Sequence, residues 1–285
     1  MAASLFTKAQ RGDRRALGRL LTRAENRVEG VNAQVVGHLG KAHIVGIAGP
    51  AAVGKSSLIA ALLARFRAEG KRVAVVTIDP SAERAGAVLG DRIRLQDWAT
   101  DPDVFIRSMA SRGHPGGLAP TTPLVLRILD ACRFDIILVE AATTSPDVIA
   151  QTDTLLLMVT PDSGDAVQLS KAQGVSAADI LVVNKADREG IGRTVTDLRA
   201  MTGRPVITTV ATAGAGVRDL VSAIEAHRPT ESWEQRHLRR VIDEIESTAV
   251  DIVREQMVDA PDLAQRVVDG ELDPFVAAQL MTGSY

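Results

Sequence analysis

The sequence predicts an α/β fold, a mainly parallel sheet flanked by helices, with N-terminal and C-terminal helical extensions. Three observations predict it. Short apolar runs recur at residues 43–48, 72–78, 135–139, 154–159, 179–183 and 205–210, near-continuous rather than alternating, as in strands covered on both faces. Segments of helical period separate several of these runs. The first run leads through Gly49-Pro50-Ala51-Ala52-Val53-Gly54-Lys55-Ser56 into Ser57 and an Ala/Leu-rich stretch ending near Arg67, the strand, loop and helix order of a phosphate cradle, so the fold is read as that of a P-loop NTPase.

Taken in order, residues 3–30 set Leu5, Ala9, Leu17, Leu20 and Leu21 among Arg and Glu, the period of one or two amphipathic helices broken around Gly12-Asp13. Packing against the main domain is their default role. In the loop after the first strand, Gly49 and Gly54 let backbone N–H groups turn inward on a phosphate. Lys55 adds a movable positive charge for the β and γ phosphates, and Ser56 offers a hydroxyl to Mg²⁺ where a helix N-terminus already favours anions. A chance match in an Ala/Gly-rich chain is the bland alternative, and the strand and helix flanks argue against it. Gly70-Lys71 closes that helix, and the strand at 72–78 ends on Asp79-Pro80-Ser81. Strand ends line one crevice in such a sheet, so Asp79 is expected to face the pocket of Lys55, an N-cap role being compatible with this.

Residues 83–123 lack a clean period and hold many glycines and prolines, the composition of a functional segment. Within it, 104–106 reads as a short strand and His114 as a hydrogen-bonding loop residue. Residues 124–132 read as a helix and 135–139 as a buried strand ending on Glu140, a second carboxylate placed to hold a Mg²⁺ hydration shell or orient water. After the strand at 154–159, a turn through Asp165 leads into a helix reaching Lys171. The strand at 179–183 delivers Asn184-Lys185-Ala186-Asp187. An aspartate there accepts from both the ring N1–H and the exocyclic amino group of guanine. Adenine offers neither donor and would leave a buried carboxylate unpaired, at a cost on the order of 1–3 kcal/mol. Lys185 would lie along the base plane, Asn184 would tie this loop to the phosphate loop, and GTP is predicted over ATP. The strand at 205–210 sets Ala211 where a small residue's backbone meets the guanine oxygen. A helix over 217–227 ends before Pro229. Beyond it, 233–258 shows a long helical period and Ala260-Pro261 opens a final helical pair. With no strand partners, this tail reads as an extension for docking or self-association, or as a plain packing helix. Three parts follow: 1–40, a helical segment; 41–229, the nucleotide-binding domain; and 230–285, a helical arm.

Composition narrows the function classes. The 285 residues are 46% hydrophobic, enough for a full core. Aromatic residues are 3% and the formal net charge is −2, which argues against stacking on single-stranded bases and against bulk electrostatic binding to nucleic acid or a membrane surface. The single Cys132 allows no intrachain disulfide and fits a reducing compartment. With no apolar run of about 18 residues and a polar start, the chain is expected to be cytoplasmic.

These motifs, taken together, resemble the MeaB/ArgK family of GTPases, chaperones of adenosylcobalamin-dependent acyl-CoA mutases such as methylmalonyl-CoA mutase. The resemblance runs almost end to end. It rests on Gly12-Asp13-Arg14-Arg15-Ala16-Leu17 with Ala24-Glu25-Asn26, on the phosphate loop, on Asp79-Pro80-Ser81 followed by Leu89-Gly90-Asp91-Arg92, and on Phe105-Ile106-Arg107-Ser108-Met109-Ala110-Ser111-Arg112-Gly113-His114, which generic P-loop GTPases lack. Gly164-Asp165 with Gln168 and Lys171 resembles the family's third mobile switch, and Gly270-Glu271-Leu272-Asp273-Pro274 resembles the end of its dimerisation arm. The resemblance implies phosphate contacts from Gly54, Lys55, Ser56 and Ser57, in a nucleotide-binding loop that also includes Gly49, Ala51, Ala52 and Val53. It implies Mg²⁺ held by Ser56, Asp79, Asp91 and Glu140, chemistry supported by Lys55, Asp91 and Glu140, and guanine held by Asn184, Lys185, Asp187 and Ala211. Asp165, Gln168 and Lys171 would couple nucleotide state to the mutase, in a homodimer that hydrolyses GTP slowly without its partner.

The chain also departs from the family pattern. After the second acidic strand the family reads Glu-Thr-Val-Gly-Val-Gly-Gln-Ser-Glu, whereas this chain reads Glu140-Ala141-Ala142-Thr143-Thr144-Ser145-Pro146-Asp147, a shorter loop with Thr143 where a glycine N–H would meet the γ-phosphate. This implies intact nucleotide binding with weakened hydrolysis or γ-phosphate sensing. Ala166 replaces a second acidic residue of the third switch, pointing to a mutase other than the methylmalonyl-CoA enzyme. Three alternatives stand beside this reading: a metal-insertion GTPase, disfavoured by scattered His and one Cys; a small-molecule kinase, opposed by the guanine-type tetrapeptide; and a nucleotide-binding scaffold without turnover.

Overall fold

The computed structural model describes residues 4–35, 37–38, 40–79, 95–111, 118–141, 144–161, 174–227, 232–256 and 260–282. Seven strands are His43–Ala48 (β1), Val73–Asp79 (β2), Val104–Ala110 (β3), Ile136–Glu140 (β4), Thr154–Val159 (β5), Ile180–Asn184 (β6) and Val206–Thr209 (β7). They form one sheet in the order β3-β2-β4-β1-β5-β6-β7, every pairing parallel.

The near-continuous apolar runs are explained by burial on both faces. Along β1, Ile44 and Ala48 enter one core cluster while Val45 and Ile47 enter the other. In β4, Ile137 and Val139 face the first cluster, Ile136 and Leu138 the second. The first cluster is closed by Leu5–Gln10 (α1), Arg14–Glu25 (α2), Val31–Val35 (α3) and, further along the chain, a helix at Thr122–Ala131. The second is closed by Lys55–Ala68 (α4) and a helix at Val217–Ala226. With Thr122–Ala131 as α5, the remaining α-helices among the described residues are Pro146–Gln151 (α6), Gly174–Ala177 (α7), Ile191–Met201 (α8), Val217–Ala226 (α9), Trp233–Gln256 (α10), Ala260–Val268 (α11) and Pro274–Thr282 (α12).

The break expected at Gly12-Asp13 is where α1 stops and α2 starts. Gly12 has φ +92°, and the Asp13 carboxylate accepts from the N–H groups of Arg15 and Ala16, both at 3.0 Å, an N-cap. Two differences from the sequence reading have local causes. The strand read at 104–106 runs to Ala110, because Arg107 and Ser108, polar residues that mask the pattern, find partners. Arg107 Nε donates to Glu25 Oε1 at 2.6 Å and Nη2 to Thr22 Oγ1 at 3.2 Å, clasping α2, while Ser108 Oγ accepts from Thr77 Oγ1 at 3.0 Å. The helix α8 was not expected; it opens on Gly190 at φ +84° with no side-chain cap, and so lacks the usual start signal.

By packing, the chain divides into Met1–His237 and Leu238–Tyr285. In the second unit Leu238, Ile242, Ile245 and Ile252 on α10 are exposed, as are Phe275 and Leu280 on α12. Among the described residues no helix is long and apolar enough to cross a membrane.

Candidate functional site

The carboxyl ends of β1, β2, β4 and β6 meet beside the N-terminus of α4, since all strands run the same way and β1 sits at the centre of the sheet. Residues 49–54 form the loop between β1 and α4. Its two bounding glycines are required by space as well as conformation. Gly49 has φ +151°, and a Cβ there would lie 2.7 Å from the Met158 carbonyl oxygen; Gly54 has φ +104°, and a Cβ there would overlap Asn184 Nδ2. Ala52, between them, takes φ +61°, a conformation uncommon outside glycine and typical of loops held for function. Lys55, Ser56 and Ser57 form the N-terminal turn of α4 beside this loop, and the helix dipole makes that end favourable to anions. Lys55 Nζ donates to the Gly49 and Pro50 carbonyls at 2.8 and 3.0 Å, so the ammonium lies against the loop it serves.

Ser56 faces the neighbouring strand. Its hydroxyl donates to Glu140, 3.3 Å from Oε1 and 3.5 Å from Oε2, and both side chains are buried. The strand register explains the meeting: Glu140, the last residue of β4, pairs with Ile47 on β1 and Thr77 on β2. Asp79 ends β2 two residues further along, opposite Ala110. The donors gathered here are hydroxyl and carboxylate oxygens at a helix N-terminus, a set suited to a hard divalent cation such as Mg²⁺.

The third component lies at the end of β6. Asn184 is buried, and its amide joins three segments: Nδ2 donates to the Val53 carbonyl at 2.9 Å, and Oδ1 accepts from Thr209 Oγ1 and Ala211 N, each at 3.1 Å. Lys185, at φ +57°, reaches back to donate from Nζ to the Ala52 carbonyl at 2.9 Å. Asp187 is exposed. Ala186 N donates to the Thr209 carbonyl at 3.0 Å, which holds the loop after β6 beside the loop after β7. Ser57 and Ala211 line one surface groove together with Ala60, Ala61, Thr212 and Gly214.

The structure thus brings Gly49, Ala51, Ala52, Val53, Gly54, Lys55, Ser56, Ser57, Glu140, Asn184, Lys185 and Ala211 to one edge of the sheet, with Asp187 on the adjoining loop. Asp79 is placed by its backbone alone. Asp91, Thr143, His114, Asp165, Gln168 and Lys171 lie outside the described residues. Thr209 was missed by sequence reasoning. Its signal, a threonine two residues before Ala211, has meaning only once the Asn184 amide is known to need an acceptor-side partner.

Fold and site together define a P-loop GTPase. The chain belongs to the MeaB family: residues 17–265 match the family model described as methylmalonyl Co-A mutase-associated GTPase MeaB. A protein of Pyrococcus horikoshii named "Putative GTPase" is 38% identical over 97% of this chain and 96% of its own. The fused isobutyryl-CoA mutase of Cupriavidus metallidurans is 36% identical over 63% of this chain and 17% of its own length. Among solved structures, a LAO/AO transport system kinase superposes with a TM-score of 0.69 at 18% identity, covering 98% of this chain and 95% of the other, a likeness of fold.

Proposed function

We propose that this protein binds GTP and Mg²⁺ in the loop before α4, hydrolyses GTP slowly alone, and uses the nucleotide cycle to gate cofactor loading and protect an adenosylcobalamin-dependent acyl-CoA mutase. The observation that supports the nucleotide part is the Asn184 amide, which joins the phosphate loop through Val53 to the loop carrying Ala211. A phosphate-binding element and a base-reading element linked by one buried side chain are preorganised for a whole nucleotide rather than for phosphate alone.

In this reading residues 41–229 are the nucleotide domain. Gly49 to Ser57 surround the phosphates, with Lys55 neutralising developing charge, and Asn184, Lys185, Asp187 and Ala211 hold the base. Ser56, Asp79, Asp91 and Glu140 would hold Mg²⁺, directly or through water, and the ion would supply positive charge to offset that of the phosphates. Glu140, already a hydrogen-bond acceptor for Ser56, orients that hydroxyl, and with Asp91 serves the chemical step. The short segment after Glu140, with Thr143 in place of glycine, lowers the rate of hydrolysis without a partner.

The partner is inferred from kinship. The family's description associates it with methylmalonyl-CoA mutase, and relatives in Cupriavidus metallidurans and Geobacillus kaustophilus are fused isobutyryl-CoA mutases. Asp165, Gln168 and Lys171 are proposed to couple the two proteins. Ala166 and the fused relatives favour a mutase close to the isobutyryl-CoA enzyme. Residues 230–285 are proposed as a dimerisation arm, since Leu238, Ile242, Ile245 and Ile252 recur at coiled-coil spacing on α10 and are exposed. A metal-insertion role is disfavoured because Cys132, the chain's one cysteine, is buried, and burial pushes its thiol up to about 12. Titration calorimetry with GDP, a non-hydrolysable GTP analogue and ATP tests the nucleotide, and single-turnover GTP hydrolysis with and without an isobutyryl-CoA mutase tests the task. Tight ATP binding without GDP binding rejects the first part; an unchanged hydrolysis rate on adding mutase rejects the second.

A further inference from the structure

The N-terminal helix α2 carries a row of arginines that the nucleotide site does not use. Arg15, Arg19 and Arg23 recur every fourth residue and are exposed, and Arg11, at the end of α1, extends the same spacing. One helical turn separates neighbours, a rise of about 6 Å. The opposite face of α2, with Ala16, Leu17, Leu20, Leu21 and Ala24, is buried in the core, so the row is held rigidly outward.

Two features mark this row. First, no acid stands one helical turn from any of its members, and the two nearest in sequence are engaged elsewhere, Asp13 with backbone N–H groups and Glu25 with Arg107. The residues three and four positions from Arg19 are Arg15, Ala16, Thr22 and Arg23, and those around Arg15 and Arg23 include no Asp or Glu. Among the described residues no carboxylate forms an ion pair with Arg11, Arg15, Arg19 or Arg23. Several other arginines are paired: Arg65 with Glu69 and Arg193 with Asp197 along their helices, Arg67 with Asp101 and Asp103, Arg107 with Glu25. Second, the row works against its own helix. Like charges one turn apart repel, and the acid that meets the N-terminus of α2 is its N-cap Asp13, engaged with the backbone N–H groups of Arg15 and Ala16 rather than with the guanidinium row. The chain as a whole is slightly acidic, so the concentration is local.

We propose that the exposed face of α2 is a docking surface for an acidic α-helix of a partner protein, one that presents carboxylates once per turn. The pitch of the row equals that of Asp or Glu at every fourth position on a facing helix, and each guanidinium can accept a carboxylate in a forked pair. A membrane is a poor occupant because the apolar face of α2 is already buried in the core and leaves nothing to insert. Nucleic acid is disfavoured by the single row, the 3% aromatic content and the balanced total charge. The surface is separate from the nucleotide site and does not depend on the reading of that site.

The test uses the full chain and a labelled helical peptide of about 20 residues with Glu at every fourth position, beside its Gln counterpart, an oligonucleotide of the same length and phosphatidylserine vesicles. Wild type should bind the Glu peptide and not the Gln peptide, with affinity falling as salt rises. The triple variant R15Q/R19Q/R23Q should lose at least about tenfold in affinity, ~1.4 kcal/mol, with melting temperature no lower than wild type and GDP binding unchanged; Arg19→Gln alone, at the centre of the row, should lose a smaller part. R15E/R19E/R23E should instead bind a peptide with Lys at those positions. Undiminished Glu-peptide binding by the triple variant overturns the proposal. So does a wild-type preference for the oligonucleotide or the vesicles.

Discussion

Replacing Asn184 with alanine should damage stability and nucleotide affinity together. The substitution removes one donor and an oxygen that accepts twice, leaving the Val53 carbonyl, the Thr209 hydroxyl and the Ala211 N–H without partners. Val53, Thr209 and Ala211 are 2%, 1% and 7% exposed, so bulk water does not replace the amide. Three such hydrogen bonds at about 0.5–1.5 kcal/mol each sum to roughly 1.5–4.5 kcal/mol. A water entering the vacated space can satisfy two of the three groups, which brings the expected loss to about 2–3 kcal/mol. GDP affinity should fall at least about tenfold, ~1.4 kcal/mol, because the phosphate and base loops are no longer tied. Urea unfolding of the nucleotide-free protein and calorimetry with GDP measure the two effects. Thr209→Val, which removes one donor at nearly constant volume, should cost about 1 kcal/mol in wild type and little in the Asn184→Ala background, a coupling that marks a shared network. Asn184→Ala with unchanged GDP affinity and stability loss under about 0.5 kcal/mol, or effects that simply add in the double variant, would refute the bridge.

Three further outcomes follow from the same structure. Gly54→Ala should abolish GDP binding in calorimetry, because its Cβ overlaps Asn184 Nδ2 and its φ of +104° disfavours alanine; its melting temperature should drop as well. Arg107→Met keeps an unbranched apolar stem while removing the guanidinium and so breaking the clasp on Glu25 and Thr22. The cost should be about 1–2 kcal/mol, with amide exchange rising first in residues 14–25. The third concerns acid. The hydrogen bond from Arg67 holds the Asp101 carboxyl below its usual range. Its folded pKa is thus below its unfolded value near 4, so its contribution is complete above that value and fades as pH falls through the folded pKa. Asp101→Asn should therefore melt lower than wild type at pH 7, and the gap should close in acid; a gap constant down to pH 2.5 or so would contradict this.

The motif at residues 105–114 shows how meaning divides between sequence and structure. As a string it marks the family, since generic P-loop GTPases lack it. In the fold, Phe105 and Met109 are core residues and Arg107 clasps α2, so this much of the motif fastens the N-terminal helix to β3. The polar residues that interrupt its apolar pattern also hid the true length of the strand. Partners 82 and 85 residues away in sequence cannot be read from spacing.

The sequence alone determined the elements whose causes are local. The apolar runs became strands because burial on two faces needs continuous hydrophobicity, and the break at Gly12-Asp13 became a helix cap because the Asp13 carboxylate reaches N–H groups two and three residues on. The phosphate loop was legible because two glycines, a lysine and a serine need fixed spacing along one turn of chain. Only the tertiary structure decided the strand order, with β4 inserted between β1 and β2, because pairing depends on which apolar faces can be closed by which helices. That order sets Glu140 against Ser56 and brings Asn184 to Val53, Thr209 and Ala211. Each contact joins groups whose affinity for one another is short-ranged and unspecific, and only the register of the parallel sheet brings them within hydrogen-bond distance.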